Sequence, residues 1–284
     1  MPREKNKNRD SDILQRLGEW RQKDGSLPQP IELYSRLLHL QTSLRSSLTV
    51  PEPSLSEEAV LSQLRQGLPL LNFDDLMLDW KLVQNQFRMV IDILADYIAE
   101  EMGDTERLKD LASDILELKQ AVRDWYQGLT LSSIVKKQHI SEAFLSAAIQ
   151  ATLRPFLTAH SEALYGLVQQ DLWRRIKCPV CGGKPDLAFL EKERGARWLL
   201  CSRCDTEWLF QRLECPYCGT QNQDDLSYLT DDKELYRLYT CEKCHSYIKA
   251  IDLRKTDAEV LLPLEKVITA DMDRQAKEAG YRAR

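Results

Sequence analysis

The sequence predicts an α+β protein in which an N-terminal all-helical domain precedes two tandem rubredoxin-like or zinc-ribbon modules, with short antiparallel strands and a C-terminal helix. Three observations predict this fold. Before Lys177, apolar residues recur at intervals of three and four, which is the period of helices packed on one face. After Lys177, all eight cysteines form Cys-x-x-Cys pairs separated by short alternating apolar stretches. The two halves of this cysteine-rich part repeat one motif.

Several helices can be placed before the cysteines. The clearest predicted helix covers residues 80–102, and a second covers about residues 105–128. A third begins after Ser141, whose hydroxyl can accept a hydrogen bond from a free N–H of the first turn. Pro155 should end or kink this third helix, because proline lacks the N–H of the helical ladder.

The predicted domain limits follow these patterns. Segment 67–73 is apolar but lacks a helical period, so it forms either a loop pinned by its own side chains or a surface for a partner. The expected parts are a disordered tail at 1–12, a helical domain at 13–176, a first metal ribbon at 177–213, a second at 214–254 and a C-terminal helical segment at 255–284.

Composition excludes some classes of function. The net charge of −5 and the pI near 5.6 argue against loose binding to a phosphate backbone, which needs a surplus of Lys and Arg. No stretch reaches the roughly 20 apolar residues of a membrane helix. Without an apolar signal segment at the start, a cytoplasmic location and reduced cysteines are expected. No Ser/His/Asp set, phosphate-binding loop or paired-carboxylate motif indicates catalysis, and we expect no enzymatic activity.

The cysteines predict two metal sites, because four thiolates close one tetrahedral site. One Cys-x-x-Cys pair alone also fits a thiol oxidoreductase or an iron–sulfur cluster, but four pairs separated by hairpin patterns favour metal ribbons. Ligands should group in sequence order, since interleaving would separate each pair from its own hairpin. The predicted ligand sets are Cys178, Cys181, Cys201 and Cys204 for one ion, and Cys215, Cys218, Cys241 and Cys244 for the other.

We call each Cys-x-x-Cys turn a knuckle. The first knuckle of each half reads Cys-Pro-x-Cys-Gly, starting at Cys178 and again 37 positions later at Cys215. Its proline fixes φ and its glycine permits the unusual φ that aims N–H groups at sulfur. Aromatic residues surround these knuckles, and they either fill small cores or leave one or two rings exposed for a partner. The sequence leaves both interpretations open.

The order of these residues resembles the FdhE family, the accessory proteins of respiratory formate dehydrogenases. The resemblance rests on four stretches: Cys-Pro-Val-Cys-Gly at 178–182, Arg-Trp-Leu-x-Cys-x-x-Cys-x-Thr-Glu-Trp at 197–208, Arg-x-x-Cys-x-x-Cys at 212–218, and Cys-x-x-Cys-x-Ser-Tyr-Ile-Lys at 241–249. It implies a cytoplasmic protein that binds the catalytic subunit of formate dehydrogenase before export and is required for its activity.

The resemblance also implies rubredoxin-like sites associated with iron, and hence a redox step on the immature enzyme. Spacing alone does not select the metal, because four thiolates accept zinc as well as iron. The alternative function is a zinc-ribbon module with purely structural metals that binds nucleic acid or other proteins. The acidic composition disfavours nucleic acid.

Overall fold

The computed structural model describes residues 9–97 and 102–283. The described helices are α1 (Arg9–Asp24), α2 (Gln29–Ser47), α3 (Glu57–Gln66), α4 (Trp80–Ala95), α5 (Met102–Ser113), α6 (Ile115–Gln127), α7 (Ser132–Gln138), α8 (Glu142–Tyr165), α9 (Leu262–Ile268) and α10 (Ala270–Glu278). The strands are β1 (Pro185–Leu190), β2 (Arg197–Cys201), β3 (Glu207–Phe210), β4 (Leu226–Thr230), β5 (Tyr236–Cys241) and β6 (Ser246–Asp252). This order of helices, ribbons and helices confirms the predicted fold class.

The chain separates into two compact units. A helical unit comprises Met1–Pro51 and Asn72–His160, and a metal unit comprises Glu52–Leu71 and Ser161–Arg284. The grouping differs from the predicted helical domain at 13–176, because α3 and the end of α8 cluster with the ribbons. The predicted domain limits remain a hypothesis about which parts of the chain fold alone.

The helical unit has shorter helices than the sequence predicts. Instead of continuing through residue 102, α4 ends at Ala95, and a new helix begins at Met102. The predicted helix over 105–128 is divided at Asp114, whose carboxylate accepts hydrogen bonds from the N–H groups of Leu116 and Glu117. An Asp side chain that binds nearby backbone N–H groups starts a new helix rather than continuing one.

Part of the predicted tail is ordered. Residues 1–8 lie outside the described part of the chain, whereas residues 9–12 form the first turn of α1. The reason is Asp10, which is buried and pairs with Arg154 at 2.9 Å and with Arg45 at 3.3 Å. A carboxylate in the first turn also interacts favourably with the helix dipole.

Pro155 does not end α8, which continues to Tyr165. The proline removes the N–H that would bind the carbonyl of Ala151, four residues earlier. The side-chain amide of Gln41 replaces it, with Nε2 donating to the Ala151 oxygen at 2.7 Å. This buried glutamine therefore lets the helix pass through the proline.

In the metal unit, the two predicted ribbons join into one sheet. Within the described residues its strand order is β3-β2-β1-β6-β5-β4. Each ribbon contributes antiparallel neighbours, and β1 pairs with β6 in parallel, with Leu187 opposite Lys249. A short antiparallel hairpin pattern does not reveal this parallel pairing, which the sequence does not predict. Leu238 and Tyr247 on the second ribbon pack against Ala276 of α10.

Among the residues that the structure describes, no helix has both the length and the apolar character needed to cross a membrane.

Candidate metal centres

The first centre gathers four buried cysteines. Cys178 and Cys181 lie in the knuckle before β1, Cys201 ends β2, and Cys204 lies in the turn before β3. The Sγ atoms of Cys178 and Cys204 are 3.7 Å apart, and those of Cys181 and Cys201 are 3.4 Å apart. All four sulfurs lie within 4.8 Å of one another.

The second centre repeats this arrangement in the other ribbon. The Sγ atoms of Cys215 and Cys244 are 3.7 Å apart, as are those of Cys218 and Cys241. Its surroundings are more open, because Cys218 is exposed and Cys244 is half-buried. The structure therefore brings together the same two sets of four cysteines that their spacing in the sequence predicts.

These distances fit an ion better than a disulfide. A disulfide joins its sulfurs at about 2.0 Å, far shorter than the separations here. Four sulfurs placed about 2.3 Å from one tetrahedral ion lie about 3.8 Å from each other. The four thiols of each centre fit one tetrahedral ion, with zinc and iron both compatible with an all-sulfur donor set.

Backbone hydrogen bonds build the first knuckle of each ribbon in the same way. The N–H of Cys178 donates to the Gly183 carbonyl at 2.8 Å, and that of Gly182 donates to the Cys178 carbonyl at 3.0 Å. The second ribbon repeats both bonds, from Cys215 to Thr220 at 2.9 Å and from Gly219 to Cys215 at 3.0 Å.

All four knuckles share a left-handed residue directly after their second cysteine. Gly182 and Gly219 have φ of 70° and 71°, as the Cys-Pro-x-Cys-Gly motif predicts. Asp205 and His245 take the same place in the second knuckles, with φ of 54° and 50°. A left-handed Asp or His costs more than Gly, so the turn around the sulfurs is imposed by the surrounding fold.

The cysteines of the first centre differ in pKa. Burial raises the pKa of Cys178 well above its ordinary value. Although burial opposes the change, hydrogen bonds from the other three thiols and Thr206 lower the pKa of Cys204 well below its ordinary value. The pKa of Cys181 is likewise raised well above its ordinary value by its neighbouring thiols, so one thiolate at Cys204 is favoured while Cys178 and Cys181 keep their protons. A bound cation is needed to make these sulfurs anionic together.

The second centre shows a weaker version of this pattern. Burial raises the pKa of Cys215. Burial also acts to raise the pKa of Cys244, but the Ser246 hydrogen bond and the neighbouring thiols lower that pKa to about 7. A thiol with this pKa is partly ionised at neutral pH, which favours metal binding there.

Hydroxyl groups support one sulfur of the first centre. The Thr206 hydroxyl lies 3.0 Å from Sγ of Cys204, and the Ser161 hydroxyl lies 2.6 Å from that of Thr206. Both hydroxyl groups belong to buried residues. This chain of contacts orients a donor toward a ligand sulfur, as outer hydrogen bonds do in metal sites.

A half-buried cation lies beside the first centre. Lys266 of α9 donates to the Cys201 carbonyl at 2.8 Å and pairs with Asp205 at 2.8 Å and with Asp186 at 3.0 Å. No sequence pattern marks this lysine, because Lys266 is remote from the cysteines along the chain. Lys266 ties α9 to both the strand end and the second knuckle of the first ribbon.

Segment 67–71 also reaches the first centre. The N–H groups of Leu70 and Leu71 donate to the carbonyls of Pro179 and Val180, both at 2.9 Å. These acceptors are the two residues between Cys178 and Cys181. Leu70 and Leu71 are buried, so the segment is pinned by its own side chains and also by the knuckle.

Comparison with known proteins places this arrangement in a family. The model of the FdhE central domain matches residues 177–212, which include all four cysteines of the first centre. An FdhE homologue of Aquifex aeolicus is 30% identical over 272 residues, covering 94% of this chain and 90% of that protein. The chain belongs to the FdhE family.

Further FdhE proteins agree with this assignment. A homologue from Haemophilus ducreyi is 32% identical over 140 residues, 48% of this chain and 45% of its own. The crystal structure of the FdhE protein from Pseudomonas aeruginosa superposes with a TM-score of 0.59 at 22% identity, covering 97% of this chain and 92% of that one. The likeness to the crystal structure supports the fold over nearly the whole chain.

Proposed function

We propose that this FdhE protein is an accessory factor that binds the catalytic subunit of a formate dehydrogenase in the cytoplasm and supports its activation. It performs no turnover chemistry of its own. The observation that carries the proposal is family membership over 94% of the chain, together with two complete sets of four cysteines.

The eight cysteines are proposed as the metal ligands. Cys178, Cys181, Cys201 and Cys204 would hold one ion, and Cys215, Cys218, Cys241 and Cys244 the other. When iron is bound, such a centre supplies one-electron redox chemistry, whereas zinc supplies a rigid fold. The exposure of Cys218 makes the second centre the better candidate for a redox step on the client.

Co-isolation tests client binding. The tagged full chain would be expressed with a formate dehydrogenase and recovered under anaerobic, low-salt conditions, with an unrelated tagged protein as the control. We expect the catalytic subunit in a stoichiometric complex and dehydrogenase activity that falls when the accessory chain is absent. A dehydrogenase that matures fully without the chain and never associates with it would overturn the proposal.

A pair of variants then asks which centre the client needs. Cys218→Ser changes the exposed ligand, whereas Cys178→Ser changes a buried one. If the second centre acts on the client, Cys218→Ser should leave binding intact but abolish activation. Equal retention of activation in Cys218→Ser and the parent chain would assign that centre a structural role.

A further inference from the structure

A cavity of about 330 Å³ lies beside the second centre in the metal unit. Strands β2, β4, β5 and β6 and residues 212–217 line it. It meets Cys215 and Cys241 but not Cys218 or Cys244, so it is adjacent to the sulfur cluster and distinct from it. We call it the arginine pocket, after Arg197, Arg212 and Arg237 in its wall.

Two of these arginines are buried with unused donors. Arg197 and Arg237 are only 3% and 8% exposed. The Nε atom of each is buried and has no hydrogen-bond partner in the described part of the chain. A buried guanidinium N–H without an acceptor is costly, and an acceptor supplied by a ligand would remove that cost.

The two buried arginines of the pocket differ in how their positive charges are paired. Arg237 pairs with Asp252 at 2.7 Å. Arg197 instead donates to the carbonyls of Gln211 and Glu214, and among the described residues no carboxylate pairs with it. Burial lowers the pKa of Arg197 to about 10, so it is still charged at neutral pH. Glu214 also lines the pocket, so its three arginines face one carboxylate of the lining and the paired Asp252, and cationic side chains still outnumber carboxylates there.

Aromatic rings connect the two arginines. Tyr228 and Tyr239 are neighbours with ring centroids 5.4 Å apart. The Arg237 guanidinium lies 5.0 Å from the Tyr228 ring, and that of Arg197 lies 5.8 Å from the Tyr239 ring. The stacking restrains both guanidinium groups at one wall. Tyr228 is 51% exposed, so this wall reaches the surface.

The rim of the pocket indicates which kind of molecule would bring an anionic group into it. Strand β4 is at the edge of the sheet formed by the described residues, and Ser227 to Thr230 on it are exposed. Leu213 and Leu229 expose 59% and 68% of their surface. An edge strand with exposed apolar side chains can pair with an extended peptide. A free small anion would leave these features unused.

We propose that the arginine pocket binds a glutamate or aspartate side chain of an extended client segment that pairs with β4. The proposal rests on the proposed client binding and names the chemistry of recognition. Carboxylate oxygens would accept hydrogen bonds from the free Nε–H groups of Arg197 and Arg237, while flanking apolar residues of the segment cover Leu229 and Tyr228.

The probe is a labelled peptide, acetyl-Thr-Val-Glu-Val-Thr-amide, with a matched peptide carrying Gln in place of Glu. Binding to the full metal-loaded chain is followed by fluorescence anisotropy and by the Nε–Hε resonances of the two buried arginines. We expect the Glu peptide to bind at least about tenfold more tightly than the Gln peptide and to shift both resonances. Sodium acetate should compete only weakly.

A matched pair of exposed arginines controls for charge. Arg212→Glu at the rim should weaken the Glu peptide about tenfold or more, whereas Arg194→Glu on the turn between β1 and β2 should leave its affinity unchanged. Equal affinity for both peptides, or no binding, would overturn carboxylate recognition. If acetate bound as tightly as the Glu peptide, the claim that the carboxylate belongs to an extended peptide segment would be wrong.

Failure here is separable from failure of the proposed function. If the peptides do not bind and Arg212→Glu still recovers the dehydrogenase subunit as well as the parent chain does, the pocket proposal fails and the accessory role stands. If the parent chain recovers no subunit, the accessory role itself fails.

Discussion

Leu70 donates its backbone N–H to the carbonyl of Pro179 at 2.9 Å, inside the first metal knuckle. The next bond, from Leu71 to Val180, has the same length. A segment that lies far earlier in the sequence thereby becomes part of the wall of the first centre. The knuckle fixes this segment, and the segment in turn covers the turn that carries Cys178 and Cys181.

A methyl group on the knuckle glycine tests this contact. At Gly182, φ is +70° and an added Cβ would lie 3.3 Å from Pro69 Cγ; at Gly219, φ is +71° and the nearest atom is 3.8 Å away. Gly219→Ala should cost about 1–2 kcal/mol, the penalty of a left-handed alanine. Gly182→Ala should cost more, because Pro69 must also move. Urea unfolding of the metal-loaded protein measures both, and equal losses would argue against the contact.

The two centres should differ in how easily they lose metal. Cys218 is exposed, whereas all four cysteines of the first centre are buried. A competing chelator should therefore remove one ion quickly from the second centre and the other slowly. The control is Cys215→Ser/Cys218→Ser, which should show only the slow phase. A single rate for both ions in the parent chain would contradict this difference.

Loss of the first centre should weaken the whole metal unit. Cys178→Ser/Cys181→Ser should bind one ion fewer and keep the second, while the urea midpoint falls further than in Cys215→Ser/Cys218→Ser. Each buried serine hydroxyl left unpaired costs about 1–3 kcal/mol, and β1 transmits the disruption to β6 through their pairing. Metal-to-protein ratios and unfolding curves test this order. Loss of both ions would mean that the ribbons cannot fold separately.

Asp252 predicts a pH-dependent stability. Its side chain is fully buried between Arg237 and Arg254, each at 2.7 Å. Burial opposes ionisation, but the Arg254 hydrogen bonds prevail and lower the pKa of Asp252. The stabilisation is therefore present above the unfolded pKa of about 3.9 and is lost as pH falls through the lower folded value.

Asp252→Asn should cost about 3–5 kcal/mol at pH 7, because it leaves the buried Arg237 without its counter-charge and removes the partner of the more exposed Arg254. The difference from the parent chain should shrink below about pH 4. Asp257→Asn is the control, since Asp257 pairs with Lys192 on the surface and should change little. A difference that stays constant from pH 7 to pH 3 would contradict the ion-pair explanation.

Gln41 and Pro155 should be coupled in the helical unit. Gln41→Leu should destabilise the protein by about 1–3 kcal/mol, because the half-buried Ala151 carbonyl loses its donor and Arg154 loses an acceptor. Pro155→Ala restores a backbone N–H for that carbonyl, so the loss on Gln41→Leu should be smaller in the Pro155→Ala background. A double-mutant cycle of unfolding free energies measures the coupling, and strict additivity would refute it.

Local patterns account for the parts of the fold that the sequence predicts. Cysteine spacing groups the sulfurs, hairpin patterns place β1 with β2 and β4 with β5, and Ser141 caps α8 by accepting from Phe144. Local patterns do not predict features that depend on contacts between residues far apart in the sequence. The parallel pairing of β1 with β6 is one, and the role of Lys266 beside Asp205 is another.

Other differences arise where one side chain changes a local rule. Pro155 predicts a helix end or a kink, and α8 continues through it with a donor supplied by Gln41. Glycine marks the left-handed turn after Cys181 and Cys218, whereas Asp205 and His245 adopt it without a sequence signal. Contacts in the folded protein impose this conformation, so inspection of the second knuckles alone cannot reveal it.

Metal analysis, with an absorption spectrum of the full chain purified without oxygen, tests the two four-cysteine centres most directly. We expect two ions per chain and no cysteine that reacts with a thiol reagent until the protein is unfolded or chelated. A band that bleaches on reduction would identify iron and support a redox step, whereas colourless protein with two zinc ions would assign a structural role. Metal-free, folded protein with eight reactive thiols would contradict the metal centres.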